Sequence, residues 1–183
     1  MSDFQRALAE IGAVADRIDE DQIDAALTMI ASAQRVVLYG CGREGLQVRG
    51  FAMRLYHLGL DVAVQGEMAA PPVGRDDLLM VSSGPGELST VIALMNVARD
   101  AGADILFLTA EADTPSASLA TRIVTIPAQT MASDQTPGAT SVLPMGSVYE
   151  GALFLLFEIM VLRLRDRLEI TADEMRARHT NLE

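Results

Sequence analysis

Arg35-Val-Val-Leu-Tyr39-Gly-Cys-Gly-Arg-Glu-Gly45 is the stretch that decides the fold. A short β-branched run ends in closely spaced glycines, and a helical pattern over Glu44–Leu58 follows, stopped by Gly59. This reads as a buried strand that passes through a glycine-rich turn directly into a helix.

The pattern recurs downstream. Asp77-Leu-Leu-Met-Val81 ends in Ser82-Ser-Gly-Pro-Gly86, and a helix over Glu87–Ala101 closes at Gly102. Asp61–Val64, Asp104–Thr109 and Arg122–Ile126 read as further short strands. Pro71, Pro72 and Gly74 mark a loop, and Pro127–Gly138 is polar and irregular. Strands alternating with helices of this length predict an α/β protein with a parallel sheet, whereas a helix bundle leaves the strand-like runs unexplained.

Two helices precede the first strand. Phe4, Leu8, Ile11 and Val14 repeat at helical spacing, as do Ile23, Leu27 and Ile30, and Asp19–Asp21 offers N-caps to the second. A long helix over Ser147–Leu168 and a short one over Thr171–His179 follow the last strand. The long helix is apolar on nearly all sides, which predicts burial, in part at a subunit interface. The whole of 1–183 reads as one domain, with the helical segment of about 1–33 packing on the sheet or on a neighbouring subunit.

Composition narrows the function classes. Half of the residues are hydrophobic but only 4% are aromatic, so the core is aliphatic. That suits a parallel sheet covered by helices. The net charge is −11 and the sequence contains no lysine, which excludes Schiff-base chemistry and a P-loop lysine. Nucleic acid is not an expected partner of so acidic a chain. Cys41 is the only cysteine, so no internal disulfide and no cysteine metal cluster is expected. The N-terminal residues lack the apolar core of a signal peptide. The stretch Ala152–Leu162 carries Glu158 and is too short to span a bilayer. A cytoplasmic location without membrane contact is the expectation.

Ligands of open parallel sheets bind beyond the carboxyl ends of the strands. Two such ends here carry glycine-rich turns, Gly40-Cys-Gly-Arg-Glu-Gly45 and Ser82-Ser-Gly-Pro-Gly-Glu87. Glycine lets the backbone approach a ligand, and the following helix N-termini favour anions. The first turn, read alone, also fits a dinucleotide fingerprint, with Glu67 near the place of the acidic residue that such a site requires. That nicotinamide reading and an ordinary strand-to-helix turn both remain open at this point.

Five segments in order resemble the 6-phospho-3-hexuloisomerases of the sugar-isomerase (SIS) fold. They are Val37–Leu46, Phe51–Gly59 with Gln65-Gly-Glu67, Asp77–Glu87, Leu143–Glu150 and Arg178–Glu183. The resemblance covers nearly the whole chain. It implies a three-layer, flavodoxin-like fold with five parallel strands between helices. It also implies a homotetramer, or at least a dimer, with shared active sites. The implied reaction moves a proton between neighbouring sugar carbons through an enediol and uses no metal or nucleotide cofactor. By position the resemblance makes Glu150 the base and His179, reaching in from a neighbouring subunit, its helper. Gly42, Arg43, Glu44, Glu67, Ser82, Ser83, Gly84, Gly86 and Glu87 are the candidate substrate-binding residues. His57 reads as structural, Cys41 as a small filler, and Arg43 and Arg54 as partners for an anion or for acidic side chains.

Three positions depart from the family's usual pattern. Glu44 stands where serine is typical, and Pro85 and Leu88 stand where hydroxyl residues are typical. Glu44 brings a carboxylate to an anion-binding turn, and Pro85 lacks a backbone N–H. The departures suggest that Glu44 itself occupies the anion site. The ligand is then a neutral sugar or polyol, or an amino-sugar. The competing expectation keeps a sugar phosphate on Arg43, Ser83 and backbone amides. A non-catalytic sugar-binding module is the rival from another functional class.

Overall fold

The computed structural model describes residues 1–136 and 138–182; Pro137 and Glu183, the last residue of the Arg178–Glu183 segment, lie outside the described residues. Five strands, β1 (Val36–Gly40), β2 (Val62–Val64), β3 (Leu78–Ser82), β4 (Asp104–Thr109) and β5 (Arg122–Thr125), form one sheet in the order β2-β1-β3-β4-β5. Every adjacent pair is parallel. The strand order reverses between β1 and β3, where Gly40 stands in register with Ser82. The two glycine-rich turns therefore leave the sheet side by side at its topological switch point.

The expected elements are present, with ends shifted by one or two residues. The helices are α1 (Asp3–Ala15), α2 (Glu20–Ser32), α3 (Gly42–His57), α4 (Ser89–Ala101), α5 (Ser147–Arg167) and α6 (Ala172–Ala177). Ser2 caps α1 in a capping box with Gln5, Asp19 caps α2, and Thr171 pairs with Glu174 to cap α6. α4 begins at Ser89, two residues later than expected, because Leu88 is extended and Glu87 is held by Ser116.

Alternating strand residues feed two aliphatic cores. Val36, Leu38, Leu78, Met80, Leu106, Leu108 and Val124 face α2, α3 and α5. Val37, Leu79, Val81, Ile105 and Phe107 face α4 and the short 3-10 turn over Pro115–Leu119. The central strands β1, β3 and β4 are buried on both faces, which explains their unbroken apolar runs. Phe51 and Phe157 stack with ring centres 4.3 Å apart and lock α3 to α5.

α1 and α2 pack within the chain. Gly151 of α5 leaves room for Ile11, since a Cβ there would lie 2.8 Å from Ile11 Cδ1. Val14, Ile23, Leu27 and Ile30 are buried. The outer half of the α1 stripe is not, with Phe4 85% and Leu8 69% exposed. α5 is long and apolar enough, by length and composition alone, to cross a membrane. Val148, Leu153, Leu156, Phe157, Met160, Val161 and Leu164 nevertheless point into the core, so its hydropathy belongs to the fold. Its Phe154, Leu155, Ile159 and Leu162 remain exposed.

Candidate active site

The β1 turn is set by close packing. A Cβ on Gly45 would lie 2.5 Å from the Gly40 carbonyl oxygen, so only glycine lets α3 start so near the strand end. Gly42 adopts φ +55°, and α3 points its first turn at the β3 turn. Between them opens a cleft of about 650 Å³. The two turns supply Cys41, Gly42, Arg43, Glu44, Pro85, Glu87 and Leu88. Thr130, Met131 and Ala132 come from the irregular stretch, and Met145, Gly146, Tyr149 and Glu150 from the start of α5.

Glu44 is only 9% exposed and turns across to the β3 turn. Its two oxygens accept the Gly84 N–H at 3.0 and 3.1 Å, and Oε2 accepts the Ser82 hydroxyl at 2.6 Å. Burial raises its pKa, the hydrogen bonds from Ser82 and Gly84 pull it back down, and the Glu150 charge adds a further upward push. Gly84 is hemmed in by Glu44, Thr130 and Tyr149, each within 3.2 Å of where a Cβ would sit. The Tyr149 hydroxyl lies 3.3 Å from Ser82 Oγ, and its burial beside Glu44 pushes its pKa well up.

Glu150 and Arg43 form the second constellation. The Arg43 Nη2 donates to Glu150 Oε2 at 2.9 Å and to Oε1 at 3.2 Å, and Nε donates to Oε1 at 3.3 Å. Nη2 also reaches the Met145 carbonyl at 2.9 Å. Met145 is held at φ +54°, a strained value for a side chain of this kind. Gly146 follows at φ +72°, where a Cβ would lie 2.3 Å from the Met131 N, so the irregular stretch presses tightly on the start of α5.

The structure brings Gly42, Arg43, Glu44, Glu87 and Glu150 to one cleft, with Ser82 and Gly84 beneath it. Glu87 accepts the N–H and hydroxyl of Ser116 at 2.8 and 2.7 Å, and these bonds lower its pKa. Gly86, at φ +82°, packs against Thr114 and Glu111. The Ser83 hydroxyl is buried and has no hydrogen-bond partner among the described residues.

Two candidates lie elsewhere. Glu67 borders a separate shallow hollow with Arg49, Met53 and Tyr56. His179 packs its ring against that of His57, centres 5.2 Å apart and planes tilted by 33°, at the far end of α3. From Gly42 to His57 the helix spans about 22 Å, so His179 is remote from the cleft of its own chain. His57 itself is buried, and its carbonyl accepts a hydrogen bond from Arg178 at 3.1 Å. Arg54 meets Glu158 at 3.4 Å rather than the cleft. Cys41, read from sequence as a filler, lines the cleft with its thiol 3.2 Å from the Tyr39 hydroxyl. Tyr149 and Met145 lie in the Leu143–Glu150 segment but were not singled out within it, and the Thr130–Ala132 edge carried no sequence signal.

Residues 29–155 match the SIS domain model. The chain belongs to the SIS domain family. It is 37% identical to the 3-hexulose-6-phosphate isomerase of Mycobacterium gastri, over 95% of this chain and 86% of that protein. It is 33% identical to the 3-hexulose-6-phosphate isomerase of Methylomonas aminofaciens over the full length of both. A solved Methanococcus jannaschii structure, with an inferred function of 3-hexulose-6-phosphate isomerase, has the same fold at a TM-score of 0.86 and 24% identity, covering 100% of each chain. This is a sugar-isomerase family, and its five-stranded SIS fold is the one expected from the sequence.

Proposed function

We propose that this chain is an intramolecular sugar isomerase that works through an enediol on the frame used by the 3-hexulose-6-phosphate isomerases. The observation that carries this reading is the Glu150 carboxylate, held at the cleft wall by the Arg43 guanidinium. Its side chain is 18% exposed, within reach of a substrate yet shielded from bulk water.

In the proposed reaction, Glu150 takes the proton from the carbon beside the sugar carbonyl. The C–H electron pair becomes the double bond of the enediol, and the carbonyl oxygen gains a proton. Glu150 then returns its proton to the former carbonyl carbon, while the neighbouring hydroxyl loses its own and becomes the new carbonyl. Arg43, bound to the Glu150 carboxylate, holds it in position for both transfers. His179 of another copy moves the hydroxyl protons, a role suited to imidazole. Such sharing needs a homo-oligomer, a tetramer or at least a dimer. The exposed Phe4, Leu8, Phe154, Leu155, Ile159 and Leu162 support an interface of this kind. A cytoplasmic, metabolic role fits the acidic single-cysteine chain.

The test is an isomerisation assay on purified protein with a panel of ketoses and aldoses, with and without a 6-phosphate, the products being separated by chromatography. Interconversion that disappears in Glu150→Gln supports the reading. Turnover that survives Glu150→Gln excludes this base, and no turnover of any sugar by folded oligomer excludes the reading.

A further inference from the structure

We propose that this cleft takes an unphosphorylated sugar, a neutral polyhydroxy ketone or aldose, because the Glu44 carboxylate fills the turn where a ligand's anionic group would have to bind. The inference rests on the isomerase reading and narrows its substrate class.

The case begins with the backbone of the β3 turn. A phosphate beyond a parallel sheet is held by free N–H groups of a glycine-rich turn. Here each of those groups is spoken for. The Ser83 N–H bonds the Leu108 carbonyl at 3.0 Å, and the Gly86 N–H bonds that of Ser83 at 3.0 Å. The Glu87 N–H bonds the Pro85 carbonyl at 3.0 Å. Pro85 has no N–H to offer. The one remaining N–H, that of Gly84, donates to Glu44. The Ser82 hydroxyl donates to the same carboxylate. Leu88 turns an aliphatic side chain into the cleft at the next position. An internal carboxylate thus takes the open N–H and the Ser82 hydroxyl of this turn, donors that an external anion would use.

The charges agree. Glu44, Glu87 and Glu150 line the cleft, against Arg43 as the one cation among its described lining residues. Arg43 is already committed to Glu150 and to the Met145 carbonyl. The first turns of α3 and α4 still offer N–H groups, but Glu44 lies in the one and Glu87 stands just before the other. A phosphate dianion placed there meets like charge in a partly dry site, where repulsion is poorly screened. A sugar hydroxyl has the opposite preference. It donates to the Glu44 or Glu87 carboxylate, while its carbon face packs on Leu88, Met131 and Met145, which line the same cleft.

The experiment compares the wild-type oligomer with Glu44→Ser, with Glu44→Ser/Pro85→Ser and with Glu44→Gln. The last keeps the size of the side chain if the serine variants fail to fold. Binding of inorganic phosphate, fructose 6-phosphate and fructose is measured by calorimetry and thermal shift at low ionic strength. The expected result is no saturable phosphate binding to wild type. Fructose 6-phosphate should bind wild type at least about tenfold more weakly than it binds the serine variants. Wild type that binds fructose 6-phosphate more tightly than fructose overturns the proposal. So do variants that fold yet gain no affinity for phosphate. Turnover separates this failure from that of the wider reading. A phosphorylated sugar isomerised by wild type through Glu150 refutes only the narrower claim, whereas no isomerisation of either sugar class refutes both.

Discussion

The Arg43 guanidinium grips both oxygens of Glu150, at 2.9 and 3.2 Å, across a gap of more than a hundred residues in sequence. The arginine comes from the turn after β1 and the glutamate from the first turn of the last long helix. The Met145 carbonyl also holds the guanidinium, and the pair fixes the direction of the proposed base.

Arg43→Gln should therefore lower kcat by more than about tenfold and leave KM less changed, because the carboxylate loses its orientation more than the cleft loses contact area. Steady-state kinetics with the best sugar of the panel checks this. A KM effect alone would assign Arg43 to substrate binding instead.

Glu44→Ala leaves the Gly84 N–H and the Ser82 hydroxyl buried without their acceptor. Each such loss costs about 1–3 kcal/mol, so a fall in urea midpoint is expected. Glu44→Gln should behave differently, and its effect should depend on pH. The folded-state pKa of Glu44 is raised above its ordinary 4.5, chiefly by burial. A raised acid favours folding fully below the unfolded pKa, and that contribution is lost as pH rises through the folded value. The stability of Glu44→Gln relative to wild type should thus increase between about pH 4 and about pH 8. Denaturation curves at both ends measure it, and a difference that shrinks with pH contradicts the burial argument.

Gly45→Ala puts a methyl group 2.5 Å from the Gly40 carbonyl, a backbone atom that cannot swing aside. A loss of about 3 kcal/mol or non-folding is expected, with any folded fraction impaired because Arg43 and Glu44 shift with the helix start. Gly50, where a Cβ meets nothing within 4 Å, serves as the control for the helix-propensity cost.

If Glu150 and His179 meet only across subunits, a mixture of Glu150→Gln and His179→Ala oligomers, dissociated and reassociated together, should regain activity that neither possesses alone. Absence of any recovery after verified subunit exchange would remove His179 from the site.

Much of this was legible in the sequence because glycine and β-branched residues punctuate it sharply. Gly40, Gly59 and Gly102 mark strand and helix ends, and the two anion-type turns are visible as spacing. The contact between Glu44 and Gly84 was not legible from either turn alone. It depends on β1 lying beside β3, with Gly40 opposite Ser82, and strand order is a long-range property. The sequence raised the idea of Glu44 turning onto an anion-type turn, but the N–H and the hydroxyl that it accepts belong to the β3 turn and not to its own helix. The apolar stripe of α1 was legible, but what covers it was not. Helical spacing reports an amphipathic face, and says nothing of what covers it, so Phe4 and Leu8 remain exposed in the single chain. Met145 and the Thr130–Ala132 edge carry no pattern, since their places follow from how the irregular stretch packs over α5.

The most direct test of the account is solvent exchange. The oligomer is incubated in D2O with each sugar of the panel, and the C–H adjacent to the carbonyl is followed by proton NMR. The account predicts loss of that signal, or its appearance in an isomeric product, with wild type and not with Glu150→Gln. No exchange and no isomer from any sugar, or equal rates in the two proteins, would contradict it.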